Sequence, residues 1–335
     1  SEGLDTVSAS GPFQEDIWAT RGRQKPRRRL KYCLHGPMTM AHPIWQLLRG
    51  GNALVGASTV VVGALMVKTD FTTIESILVL LHACCVATFM GAWNAFNDVF
   101  DHEVDAKNHP ERPIPSGALT LIQAKAIGRA SFLLSIVSLL AAMTTAALYS
   151  ENLASWLPSI GIWFLAFLLM FHYEMVVPAS FMLKHKGLMG NLAVSLLVGI
   201  VIVFGAAAVN GIANPLVWIV ALVAMLVNAA REIVKDIEDE AGDVDRETLP
   251  KVVGAERARA FAQLLIIASF IPIVAPYARE MLPMEYLLLQ CPAMLVLISV
   301  KPKLYRGEDY SAQRSLRLAM LLGLSGFLAS VLIPL

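Results

Sequence analysis

Two stretches of this sequence place acidic residues at helical spacing. The first, from Asn94 to Gly117, reads N-A-F-N-D-V-F-D-H-E-V-D-A-K-N-H-P-E-R-P-I-P-S-G. On a helix continuing through it, Asn97, Asp101 and Asp105 fall at i, i+4 and i+8, so three oxygen donors stack on one face. Asp98 lies about 100° round that helix, as a supporting partner or a solvated neighbour. The second stretch, R-E-I-V-K-D-I-E-D-E-A-G-D-V-D from Arg231, sets Asp236, Asp239, Glu240 and Asp243 at i, i+3, i+4 and i+7.

Like charges so spaced repel, which makes sense when a cation sits among them. Carboxylate and amide oxygens without His or Cys suit a hard ion, Mg2+ before Ca2+. Basic residues accompany both stripes: Arg112, Lys184, Arg231, Lys235 and Arg246. That mixture is the one expected where metal ions and cations share the charge of a diphosphate. Mg2+ commonly binds through a few carboxylates plus substrate phosphates, which fits two half-sites facing each other.

The elements that must carry these motifs are apolar. Hydrophobic residues make up 56% of the 335 and charged residues only 16%, an excess that excludes an ordinary soluble domain. Runs near the length of a membrane span occur at 52–67, 77–96, 126–148, 153–177, 188–209, 216–234, 260–274, 282–300 and 318–335. Backbone polar groups in lipid must be satisfied within their own segment, so the fold expected is all-α, a polytopic membrane bundle of about nine transmembrane helices. The first and seventh runs are short, and only a few residues separate the seventh from the eighth. Pro158 and Pro272 fall inside runs, where membrane helices tolerate them.

Lys and Arg crowd before the first span (Arg21 to Arg49) and after the second, fourth, sixth and eighth, and are nearly absent from the other connections. The positive-inside rule then places the N-terminus and both acidic motifs on the cytoplasmic face, in a cell membrane. Residues 1–43 are polar and basic, without the apolar core of a signal peptide, and read as a disordered tail leaning on anionic lipid; residues 44–335 form the membrane domain. A net charge of +1 gives no reason to expect nucleic acid as a partner. Cys33, Cys84, Cys85 and Cys291 show no metal-binding spacing and read as packing. His102, His109 and His172 read as interfacial residues without a catalytic part.

On these motifs the chain resembles the UbiA family of intramembrane prenyltransferases. Asn97, Asp101 and Asp105 match that family's N-x-x-x-D-x-x-x-D motif on the second helix. Asp236, Asp239, Glu240 and Asp243 match the acidic motif of the sixth, with Glu240 where several members have Asp. The resemblance runs from about Arg49 to Leu335 and implies nine helices and an isoprenyl diphosphate bound through Mg2+. R-P-I-P-S-G (Arg112 to Gly117), K-x-x-x-x-x-G-N (Lys184 to Asn191) and the stretch from Arg231 to Pro250 are most similar to the archaeal members that make digeranylgeranylglyceryl phosphate.

That similarity implies transfer of a geranylgeranyl group from its diphosphate to the hydroxyl of geranylgeranylglyceryl phosphate. Asp101, Asp105, Asp236 and Asp239 would be catalytic. Asn97 would join them, Glu240 and Asp243 in holding Mg2+. Asn52, Asn97, Arg112, Tyr173, Lys184, Asn191, Arg231 and Lys235 would bind substrate. Arg49, Arg112 or Lys184 would anchor the acceptor's phosphate, and a carboxylate of the second motif would take the hydroxyl proton. Two departures stand out: Arg49-Gly50-Gly51-Asn52 replaces the Arg-Pro that often precedes the Asn, and Tyr173 lies farther from Lys184 than is usual. The same chemistry on an aromatic or tetrapyrrole acceptor is the nearest alternative. A cation transporter, a different class, would want ionisable residues near the midplane rather than at span ends.

Overall fold

The computed structural model describes residues 42–149, 152–175, 177–240 and 247–333. The sequence is realised there as helices α1 (Pro43–Leu47), α2 (Gly50–Leu65), α3 (Thr73–Phe100), α4 (His102–Asn108), α5 (Leu121–Tyr149) and α6 (Leu157–Glu174). These are followed by α7 (Leu188–Ala207), α8 (Pro215–Asp239), α9 (Leu249–Val253), α10 (Ala255–Ala278), α11 (Cys291–Tyr305) and α12 (Asp309–Leu332). Among the described residues, eight segments are long and apolar enough to cross a membrane, and α2, at 16 residues, is a shorter ninth. The protein is an integral membrane protein built as an all-α bundle. The expected tail lies outside the described residues except for His42 and Pro43 at the mouth of α1.

Local sequence explains where the spans begin. Thr72 accepts the backbone N–H of Glu75, whose carboxylate accepts from the N–H of Thr72, a capping box that opens α3. Thr120 and Gln123 make the same reciprocal pair before α5. Asn214 caps α8, with Pro215 in its first turn.

Pro158 does lie inside a span, the one from Ala154 to Glu174, and sits in the first turn of α6, where its missing N–H costs nothing. One sequence expectation needs correction, the length of the seventh span. The seventh span is not short: α10 runs 24 residues because its first turns use the charged segment containing Glu256, Arg257 and Arg259. Pro272 does lie inside that helix, joined by Pro276. The eighth span opens with a 3-10 turn, Met284–Gln290, before α11.

Packing centres on α8, which lies against α7, α10 and α12, while α3 packs on α5 and α2 lies between α3 and α7. Water does not drive helices together inside lipid, so close backbone approach matters most. A Cβ at Gly63 would fall 2.1 Å from the Ile202 carbonyl oxygen, and one at Gly205 would fall 2.0 Å from that of Val60. The two glycines interlock α2 with α7 reciprocally. Large apolar side chains such as Leu80, Ile122, Leu133, Ile271 and Leu295 point outward, as a lipid-facing surface requires. Of the apolar stretch of α6, only 11% is buried in the protein.

Candidate active site

The site begins where α3 ends. The helix does not run unbroken through the first motif: Asp101 leaves helical geometry at φ −88°, ψ 7°, and α4 restarts at His102. The Asp101 N–H still reaches the Asn97 carbonyl (2.9 Å) and the Asp105 N–H the Asp101 carbonyl (2.8 Å), so the four-residue register survives the break. The side chains divide into two networks that share Asn97.

In one network, Lys184 Nζ lies 2.7 Å from both Asp101 Oδ2 and Glu174 Oε1. Asn97 Nδ2 donates to the same two oxygens, each at 3.0 Å. Two donors and two acceptors thus form a closed square. Lys184 sits on a 3-10 turn, Leu183–His185, entered through Met182 at φ 48°. Its side chain is 7% exposed and that of Glu174 2%, whereas Asp101 keeps 34%.

In the other, Arg49 Nη2 donates to Asp98 Oδ1 at 2.9 Å and to Asn97 Oδ1 at 3.2 Å. Arg112, on the Arg112–Gly117 turn, lies 3.6 Å from Asp98 and forms an ion pair with Asp105. Asp98 and Asp105 are both buried, so Asp98 is the supporting partner, not the solvated neighbour. Arg49 is held at φ 48°, in the left-handed region that disfavours every residue but glycine. Asn94 donates to the Leu48 carbonyl at 3.1 Å and pins the turn that presents it.

The second motif is laid out along the end of α8. Asp236 is buried and accepts from Asn191 Nδ2, in the first turn of α7, at 2.9 Å. Asp239 and Glu240 are exposed at the helix end, and Asp243 and Arg246 lie outside the described residues. One turn earlier, Arg231 pairs with Glu232 and donates to Asn228 at 3.4 Å; Lys235 lies 3.7 Å from Glu232. The Nε of Arg231 is buried without a hydrogen-bond acceptor.

The Lys184 loop reaches toward this motif. A Cβ at Gly187, whose φ is +44°, would fall 2.7 Å from the Glu247 carbonyl oxygen. Tyr173 is half-buried beside Glu174 with its ring against Gly190. Asn52 is exposed on α2, and its side chain makes no hydrogen bond among the described residues. Those residues hold no group of three His, Cys, Asp or Glu side chains close enough to ligate one metal ion. His172 accepts the N–H of Phe181 and stacks on its ring, a role in closing the loop.

Sequence reading passed over Glu174 and Glu232. Glu174 is the one acid in the apolar run 153–177, and an ionisable residue embedded in such a run is a site signal by default. Glu232 follows Arg231 directly and falls outside the i, i+3, i+4, i+7 stripe that begins at Asp236, so spacing alone does not single it out.

The sequence profile of the UbiA prenyltransferase family matches residues 56–331. The chain belongs to the UbiA prenyltransferase family. Among its UbiA relatives, the digeranylgeranylglyceryl phosphate synthase of Methanopyrus kandleri is 33% identical over 300 residues, covering 86% of this chain and 98% of that protein. A solved structure of a digeranylgeranylglyceryl phosphate synthase superposes with a TM-score of 0.65 at 24% identity, over 86% of this chain and 97% of that one. A UbiA homologue from Archaeoglobus fulgidus, solved bound to GPP and Mg2+, shares the fold at a TM-score of 0.54 and 15% identity, over 87% of this chain and all of that one. The enzyme is thus a prenyltransferase, and its fold is the one its motifs implied.

Proposed function

We propose that this enzyme transfers a geranylgeranyl group from geranylgeranyl diphosphate to the free hydroxyl of geranylgeranylglyceryl phosphate, releasing diphosphate, at the cytoplasmic face of the cell membrane. The observation carrying the reading is the gathering of cations beside both acidic motifs, with Lys184 nearly buried among them. Lys184, Arg49 and Arg112 gather at the end of α3, and Arg231 keeps an unsatisfied buried donor beside the second motif. A buried N–H without an acceptor is costly and fits an anionic ligand. The similarity to digeranylgeranylglyceryl phosphate synthases along almost their whole length supports the acceptor.

The donor set is carboxylate and amide oxygen, which fits Mg2+. Asn97, Asp101 and Asp105 on one side and Asp236, Asp239, Glu240 and Asp243 on the other would hold it. Bound Mg2+ supplies positive charge that stabilises the departing diphosphate. Lys184, Arg112, Arg231 and Lys235 bind and orient the phosphates, and Tyr173, Asn191 and Asn52 line the approach. The allylic C–O bond breaks with its electron pair leaving on diphosphate, the acceptor oxygen bonds to that carbon, and its proton passes to a second-motif carboxylate. The apolar helix walls keep water from the allylic cation.

Membranes containing the enzyme, given radiolabelled geranylgeranyl diphosphate with Mg2+, are offered geranylgeranylglyceryl phosphate, 4-hydroxybenzoate and chlorophyllide in parallel. Label entering the glycerophosphate product alone is expected; label in another acceptor overturns the acceptor, and none in any overturns the reaction. Asp101→Ala and Asp239→Ala, each still folded, are expected to abolish transfer.

A further inference from the structure

Among the described residues, Glu174 is buried more deeply than any carboxylate of the two motifs, and it contacts Lys184 and the motif residue Asn97. Burying a carboxylate is costly unless it is paired, so its place needs a reason. The amide of Asn97 supplies one. Its Nδ2 faces two carboxylates and its Oδ1 faces the guanidinium of Arg49, and only this orientation matches donors with acceptors on both sides. Rotated by half a turn, the amide would set an oxygen against two carboxylates and a nitrogen against Arg49. Lys184 tells the same story, because its ammonium has two counter-charges where one would suffice.

We propose that Glu174 is a positioning residue for the metal–diphosphate site: it holds the Asn97 amide with Oδ1 turned toward Arg49, and it retains Lys184 when Asp101 turns to a metal ion. The inference rests on the reading of Asn97 and Asp101 as ligands. Without Glu174, Asp101 becomes the one counter-ion of a nearly buried ammonium among the described residues, and the lysine competes with the metal for it. The Asn97 amide also loses one of the two acceptors that fix its face. Both changes weaken metal binding, as loss of a group that orients a ligand does elsewhere. Glu174 itself faces Lys184 and Asn97, not the reacting atoms.

The test measures Mn2+ binding by electron paramagnetic resonance on detergent-purified full-length enzyme, with a non-hydrolysable geranylgeranyl thiodiphosphate present. This readout needs no acceptor, so failure of the transfer reaction and failure of the positioning role are separable. Glu174→Ala, assayed below its lowered melting temperature, is expected to raise the Mn2+ dissociation constant about 10- to 100-fold. Glu174→Gln keeps a carbonyl oxygen for both donors but loses the charge, and an increase of about 3- to 10-fold is expected. In an Asn97→Ala background the effect of Glu174→Ala shrinks, because the two act through one amide. Wild-type Mn2+ affinity in Glu174→Ala overturns the proposal, as does an undiminished effect in the Asn97→Ala background. Should the alanine variant fail to fold, unchanged affinity in Glu174→Gln overturns it. Absence of Mn2+ binding by the wild type overturns it together with the metal assignment.

Discussion

Asn191 and Asp236 stand 45 residues apart in sequence and 2.9 Å apart in space, the amide of one donating to the buried carboxylate of the other. This bond joins the first turn of α7 to the last turns of α8 and fixes the depth at which the second motif begins. Asn191→Ala leaves that carboxylate one donor short in a protein interior. The expected cost is about 1–3 kcal/mol of stability. In thermal unfolding, Asn191→Ala combined with Asp236→Ala should then lose less than the two single variants summed; simple additivity would show that the bond carries no energy.

Arg49 combines a strained backbone with two contacts to the first motif. Strain and charge separate by substitution. Arg49→Gly and Arg49→Ala both release Asp98, but only glycine adopts φ 48° freely. Arg49→Gly is therefore expected to be the more stable of the two by about 1 kcal/mol, with both equally impaired in transfer. Equal melting temperatures would show that α2 begins differently from the geometry described.

The interlocked glycines of α2 and α7 leave no room for a methyl group on either side. Gly63→Ala and Gly205→Ala should each destabilise the bundle by about 1–3 kcal/mol, seen as a lower unfolding temperature in detergent. Gly161, whose Cβ would meet nothing within 4 Å, is the control, and Gly161→Ala should leave that temperature unchanged or raise it.

Away from the site, Arg259 on α10 grips Asp309 at the start of α12 through Nε (2.8 Å) and Nη2 (2.6 Å). Parallel contacts of this kind are the stronger sort of ion pair. Removal of either partner should cost about 1–2 kcal/mol of stability without altering the acceptor used. Arg259→Lys keeps the charge but not the two-pronged geometry, and should recover less than half of what Arg259→Ala loses. Full recovery by lysine would mean that charge alone holds the helices.

The spans were legible because apolar length is written directly into the sequence, and Asn97, Asp101 and Asp105 were legible because their spacing is local. Glu174 and Arg49 were not, since their parts depend on which helix ends meet, and no short-range pattern records that. The break at Asp101 escaped notice for a related reason: the register continues across it, so spacing looks the same with or without the interruption. The length of α10 was underestimated because its first turns carry charge, and a search for apolar runs stops where charge begins.

The sparse packing of α6 has its own consequence. Little of that helix is buried in the protein, yet its last residue is Glu174 and the loop beyond it delivers Lys184. The placing of Glu174 and Lys184 therefore falls to the polar square at the end of the helix rather than to apolar packing along its length.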